Sequence, residues 1–64
     1  MKAIELEYKK EYRHRGNSSA ERACFLGQEG KRYYFVSVCG KDSRICSGKW
    51  WMSESQIEKL LVEI

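Results

Sequence analysis

The sequence predicts a small α+β domain. We expect a small antiparallel sheet, or a partly open SH3-like or OB-like barrel, of three to five strands with one C-terminal helix. Two apolar runs, the second rich in aromatic and β-branched residues, flank a turn that contains Gly30, which is typical of a β-hairpin. From Ser53 onward, apolar residues recur at the spacing of an amphipathic helix. The 64 residues include no proline, so we expect no proline-rich linker and one domain over residues 1–64.

The first element, residues 3–12, is predicted to be a strand. Its apolar residues fall mostly at alternate positions: Ile4, Leu6, Tyr8 and Tyr12. A helix is the alternative, because three of the four would also form one helical stripe and because Glu and Lys favour helix over strand. Leu6 fits only the alternating pattern, so the strand is preferred. Residues 13–19 are rich in Gly, Asn and Ser and predict a loop.

The centre of the chain predicts a β-hairpin. Residues 20–27 and 32–39 are the two strands, and residues 28–31 are the glycine-containing turn between them. A second turn follows at residues 40–44. Two further short apolar segments then flank Ser47 and Gly48, which predicts either another short hairpin or a bulged strand.

The C-terminal segment predicts a helix that begins at Ser53. Ser53 as N-cap and Gln56 three residues later form a capping box. Met52 before the cap is placed to pack on Ile57 as a hydrophobic staple. One face of the helix is expected to be apolar: Ile57, Leu60, Leu61 and Ile64. A helix of about eleven residues is marginal alone and needs a sheet to pack against.

Composition points to a cytoplasmic protein with no membrane contact. No stretch approaches the ~20 apolar residues that span a bilayer, and the N-terminus has no apolar run suited to a signal peptide. An odd number of cysteines, three, makes a poor disulfide framework, so free thiols are expected. The net charge is +3, and the basic excess lies in the first half, mainly at Lys9, Lys10, Arg13 and Arg15. Such a patch attracts polyanions and acidic protein surfaces alike.

Neither metal binding nor catalysis is predicted. One histidine and three cysteines are in principle enough for a zinc site: His14, Cys24, Cys39 and Cys46. Structural zinc sites usually use closely spaced cysteine pairs, which this chain lacks, and two of the cysteines lie in apolar runs. Nothing in the sequence brings His14 to a nucleophile, and no phosphate-binding glycine loop is present. We therefore expect no enzyme, no cofactor and no small-molecule substrate.

Residues 51–57, Trp-Met-Ser-Glu-Ser-Gln-Ile, resemble the W-[IL]-P-x-S-Q-I ending of small uncharacterised bacterial and phage proteins. Residues 19–26 and the turn at Gly30 are similar to the apolar run and turn that these proteins tend to have earlier in the chain. Ser53 stands where those proteins usually have proline, so a helix cap replaces a rigid turn. The resemblance implies a small β-rich domain, often encoded by mobile elements, and it brings no catalytic residues.

Two binding functions remain. Adjacent aromatic residues on a strand point to opposite faces, so one of Tyr33 and Tyr34 and one of Trp50 and Trp51 should be exposed. Exposed Trp, Tyr and Arg favour protein binding as an adaptor or inhibitor, with homodimerisation through an open sheet edge as a variant. Interleaved basic and aromatic residues make nucleic-acid binding the alternative. The predicted contact residues are Lys9, Lys10, Arg13, Arg15, Arg32, Tyr33, Tyr34, Trp50 and Trp51.

Overall fold

The computed structural model describes residues 1–16 and 21–64. Its elements, in chain order, are a 3₁₀ helix (Ala3–Glu5), β1 (Glu11–His14), β2 (Glu21–Glu29), β3 (Arg32–Cys39), β4 (Arg44–Ile45), β5 (Trp50–Met52), α1 (Glu54–Leu60) and β6 (Leu61–Val62).

All strand pairs that the structure describes are antiparallel. The β2–β3 hairpin is the centre of the sheet; β1 pairs with the free edge of β2, and β6 pairs with β1. On the other side, β4 and β5 share one edge of β3. Over the described residues this order does not return on itself, so the six-stranded sheet is not closed into a barrel. The α+β prediction of an antiparallel sheet with one C-terminal helix is confirmed, whereas the predicted strand number was too low.

The hairpin prediction is also confirmed, with a longer first strand than expected. Glu29 lies opposite Arg32, which leaves a two-residue turn of Gly30 and Lys31. Gly30 has a φ of 62°, the left-handed conformation that two-residue hairpin turns require and glycine adopts without strain. The register shifts between Phe25 and Gly27, where a β-bulge places Gly27 opposite Tyr34.

One face of the sheet, the inner face, carries the core. Tyr12, Phe35, Ile57 and Leu61 are its largest fully buried side chains. Ile57 of α1 and Ala3 of the 3₁₀ helix belong to the same buried cluster, so both helices pack on this face. Among the aromatic residues, Phe35 lies under the Trp50 ring, with a centroid separation of 5.1 Å and an interplanar angle of 21°.

The strand predicted over residues 3–12 is wrong for most of its length. Residues 3–5 form the 3₁₀ helix, in which the backbone N–H of Lys2 donates to the Glu5 carboxylate at 2.8 Å. Lys9 then takes a φ of 64°, which a strand does not allow. The alternation was misleading because Ile4 and Tyr8 are 91% and 68% exposed. Only the last part becomes β1, which extends through Arg13 and His14, residues assigned to the loop. The rest of that predicted loop lies in part outside the described residues.

The C-terminal predictions are partly correct. Ser53 caps α1, and the capping box with Gln56 is present. The helix ends at Leu60, however, because Leu61 and Val62 leave it to pair with β1. Ile64 is therefore not on a helical face and is 77% exposed.

The two segments after the second turn do not form the hairpin that was one of the alternatives. β4 and β5 both pair with β3, so they lie one after the other along a single edge. Together β4 and β5 form one strand that is interrupted by the residues between them. This arrangement agrees better with the second alternative, a bulged strand.

Candidate binding face

The face of the sheet opposite the core, the open face, collects side chains that the strand alternation points away from the buried cluster. Both helices that the structure describes pack on the inner face, so the open face has no helical layer. Four residues at its β3–β5 end form a continuous set, the aromatic–basic patch: Arg32, Tyr34, Lys49 and Trp51.

The register between β3 and β5 builds this patch. Tyr34 lies directly opposite Trp51, and cross-strand partners share one face of a sheet. The Cζ atom of Arg32 lies 4.7 Å from the centroid of the Trp51 ring. The Nζ atom of Lys49 lies 4.8 Å from the centroid of the Tyr34 ring. Each ring therefore carries a cation, an arrangement worth about 0.5–1 kcal/mol at an exposed site.

The neighbouring aromatic residues point the other way. Tyr33 is buried beside Tyr34, and Trp50 packs against the core beside Trp51. The Nε1–H of Trp50 donates to the Oγ of Ser37 at 3.1 Å, and its ring meets that of His14 edge-on at 6.0 Å. Trp51 is 48% exposed. The prediction that each aromatic pair divides between two faces is thus confirmed, and Trp51 is the outward tryptophan.

The β-bulge adds a depression beside the patch. Gly27 lies opposite Tyr34 and has a φ of 134°, and a Cβ atom there would meet no atom within 4 Å. Gly27 is part of the lining of a shallow depression of about 260 Å³, together with Leu26, Gln28, Glu29, Tyr34 and Lys49. The open face is therefore concave beside Tyr34.

Away from the patch, the open face is aliphatic and then ionic. Ile45 lies opposite Val38 and is 65% exposed. Farther along, the Arg22 Nε donates to the Glu11 carboxylate at 2.6 Å. The pKa of the Glu11 carboxyl is lowered, first by a side-chain hydrogen bond from Ser43 and then by Arg22. The ion pairs of the described residues involve only Lys10 and Arg22 as cations, so neither Arg32 nor Lys49 forms one, although Glu29 lies opposite Arg32 across the hairpin.

The other predicted contact residues are scattered. Lys9 and Lys10 lie in the turn before β1, and Lys10 is paired with Glu7 at 3.2 Å. That pairing raises the pKa of the Lys10 amine. Arg13 is exposed on β1, and Arg15 is exposed just beyond it. The structure therefore does not bring this basic cluster to the patch, and Tyr33 and Trp50 belong to the core.

Lys49 was not among the predicted contact residues, although the structure places its amine over the Tyr34 ring. Its position two residues before Trp51 was a usable signal, since positions i and i+2 of a strand share a face. The four possible zinc ligands are not assembled: within residues 1–16 and 21–64, no group of three or more His, Cys, Asp or Glu residues is placed to hold a metal ion.

Comparison of the chain with protein-family models, with curated proteins and with solved structures finds no match in any of the three. In the part of the chain that the structure describes, no helix has the length and apolar character needed to cross a membrane.

Proposed function

We propose that this chain is a non-enzymatic module that binds a protein partner through its open face, with Trp51 at the centre of the contact. The observation that supports this proposal is the different packing of the two tryptophans. Trp50 packs against the core, whereas Trp51 is half-exposed on a face without a helical layer. A large, half-exposed aromatic side chain outside the core is the type of residue that dominates interface energies.

The chemistry of the face favours a protein with acidic residues around an apolar contact. Arg32 and Lys49 form no ion pair among the described residues, so both cations can pair with Asp or Glu of a partner. Exposed Ile45 extends the contact with aliphatic surface, which matches apolar side chains better than bases. The depression beside Gly27 accepts one partner side chain.

An adaptor or inhibitor role fits this picture, because the proposed site is a surface rather than an enclosed pocket. The resemblance of residues 51–57 to small phage and bacterial proteins is the basis for proposing an origin in a mobile element. A relation to the SH3-like or OB-like barrels is part of the same proposal, as is a location in the cytoplasm.

The test compares wild type with two matched alanine variants in capture from a lysate of the native host. Trp51→Ala removes the proposed centre of contact, and Tyr8→Ala removes another exposed aromatic residue, outside the patch. A stoichiometric partner should be retained by wild type and Tyr8→Ala and be lost with Trp51→Ala. Titration of that partner should show a loss of about 2 kcal/mol, about 30-fold, for Trp51→Ala. Equal binding by the folded Trp51→Ala variant would refute the proposal.

Single-stranded nucleic acid is the second candidate, because one observation favours it. Two adjacent rings on a sheet face, each with a cation above it, also form a stacking platform for bases. Titration of single-stranded DNA and RNA oligonucleotides at low and moderate salt separates the two functions. Binding that weakens steeply with salt and is lost in Trp51→Ala would assign the face to nucleic acid. Absence of binding even at low salt would exclude it.

A further inference from the structure

The second turn of the sheet brings two thiols together. The backbone N–H of Cys46 donates to the carbonyl oxygen of Ser37 at 2.9 Å, so Cys46 lies opposite Ser37. Cys39 is two residues beyond Ser37 on β3 and therefore shares its face of the sheet. Cys39 and Cys46 are thus diagonal neighbours on adjacent strands, although seven residues separate them in sequence.

The register places the two side chains at neighbouring positions on one face of the sheet. The pKa of the Cys46 thiol is raised, first by a side-chain hydrogen bond with Cys39 and then by desolvation. Cys46 is exposed and Cys39 is half-buried, so a reagent reaches Cys46 first. Cys24 does not take part, because it lies opposite Val36 on the other face of the sheet.

We propose that Cys39 and Cys46 form a reversible intramolecular disulfide, with a low-molecular-weight disulfide such as oxidised glutathione as the oxidant. The Cys46 thiolate attacks one sulfur of the oxidant, which forms a mixed disulfide and releases one thiolate. The Cys39 thiolate then attacks the Sγ of Cys46 and displaces the second thiolate. The protein loses two electrons and two protons, and the oxidant is reduced to two thiols.

The bond requires a small movement of the local backbone. Diagonal neighbours in a sheet have Cα atoms about 7–8 Å apart, slightly beyond the ~7 Å that a disulfide spans without movement. Cys46 supplies the shift, because it lies just after β4, a strand of only two residues, in an exposed segment. Gly40 and Ser43, with φ values of 79° and 53°, already turn the chain sharply between the two cysteines.

The bond would fasten β4 to β3 and with it Ile45, which lies opposite Val38 on the open face. An effect of oxidation on partner binding follows only if the proposed function is correct, whereas the disulfide itself does not depend on it.

The experiment exposes the folded wild-type chain to oxidised glutathione, blocks free thiols by alkylation and digests it with trypsin without reduction. Lys41 and Arg44 lie between the two cysteines, so the disulfide should appear in mass spectra as residues 33–41 linked to residues 45–49. Cys24→Ser should give the same linked pair. Cys39→Ser, which cannot resolve the intermediate, should accumulate at least about tenfold more glutathione on Cys46 than wild type.

Two results would overturn the proposal. One is a wild-type chain that carries as much glutathione on Cys46 as Cys39→Ser and yields no linked peptides. The other is a linked pair that contains Cys24. Both outcomes are independent of whether any partner binds the open face.

Discussion

The two faces of the sheet carry the same types of aromatic residue in different environments. On the inner face, Trp50 stacks on Phe35 and hydrogen-bonds Ser37, so its ring is part of the core. On the open face, Trp51 touches a cation and solvent. Since the two residues are adjacent and identical, composition does not show which aromatic side chains pack in the fold and which are exposed. The alternation of side chains along the strand separates them.

The sharpest way to break this comparison is to truncate each tryptophan in turn. Trp50→Ala should cost about 3 kcal/mol, since it removes a stacked, hydrogen-bonded core ring. Trp51→Ala should cost about 1 kcal/mol, because only a cation–π contact and partial burial are lost. Urea denaturation followed by far-UV circular dichroism measures both without relying on tryptophan fluorescence. Equal costs would show that the open face is a structural surface, and not a free one.

The two faces also differ in that helix α1 packs on the inner face only, and the stability of this helix is the second property to test. The Ser53 Oγ accepts from the Gln56 backbone N–H at 3.4 Å, and the Gln56 side chain accepts from the Ser53 N–H at 3.0 Å. Ser53→Ala removes the cap of α1 and should cost about 1 kcal/mol. Ser55→Ala, inside the same helix, is the control: it removes the 3.2 Å contact of the Ser55 hydroxyl with the Ser53 Oγ but leaves the backbone cap, so it should cost clearly less than Ser53→Ala. A loss in Ser55→Ala as large as in Ser53→Ala would argue against the cap.

Elements with several local signals in the sequence were predicted correctly, whereas features with a single signal or with long-range determinants were not. The hairpin and the capped helix were predictable because their signals are local: a glycine turn between β-forming runs, and Ser53 with Gln56. The N-terminal strand failed because alternation was the only signal, and the charged residues between its apolar positions have little strand preference. Which tryptophan faces outward depends on register with β3, a long-range property that the local pattern does not contain.

Likewise, the pairing of Cys39 with Cys46 depends on β4 folding back along β3. A spacing of seven residues does not indicate a metal site. The same spacing brings the two thiols close together because Cys39 and Cys46 lie on either side of a turn. Lys49 was overlooked although a local signal existed, since positions two apart on a strand share a face.

A pH dependence should come from the open face rather than the core. The pKa of Glu11 lies below its ordinary value of 4.5 when the chain is folded. The carboxylate therefore stabilises the fold above that pH, and the contribution is lost as the pH falls through the folded-state pKa. Glu11→Gln should cost less than about 1 kcal/mol near neutrality, because the pair with Arg22 is partly exposed. It should also flatten the acid limb of a stability–pH curve, whereas an unchanged acid limb would assign that limb to other carboxyls.

The smallest expected effect on stability tests the patch most directly. Arg32→Gln and Lys49→Gln each remove a cation from above an aromatic ring and leave the strands intact. Each should change the free energy of unfolding by about 0.5 kcal/mol or less, because exposed cation–π pairs contribute little. Urea denaturation at low and high salt measures the change, and Lys41→Gln in the exposed turn before β4 is the matched control. If either patch variant destabilises the chain as much as Trp51→Ala does, its cation holds the ring in place and is not free for a partner. If both are near neutral in stability yet weaken partner binding, the charge on this face serves recognition and not folding.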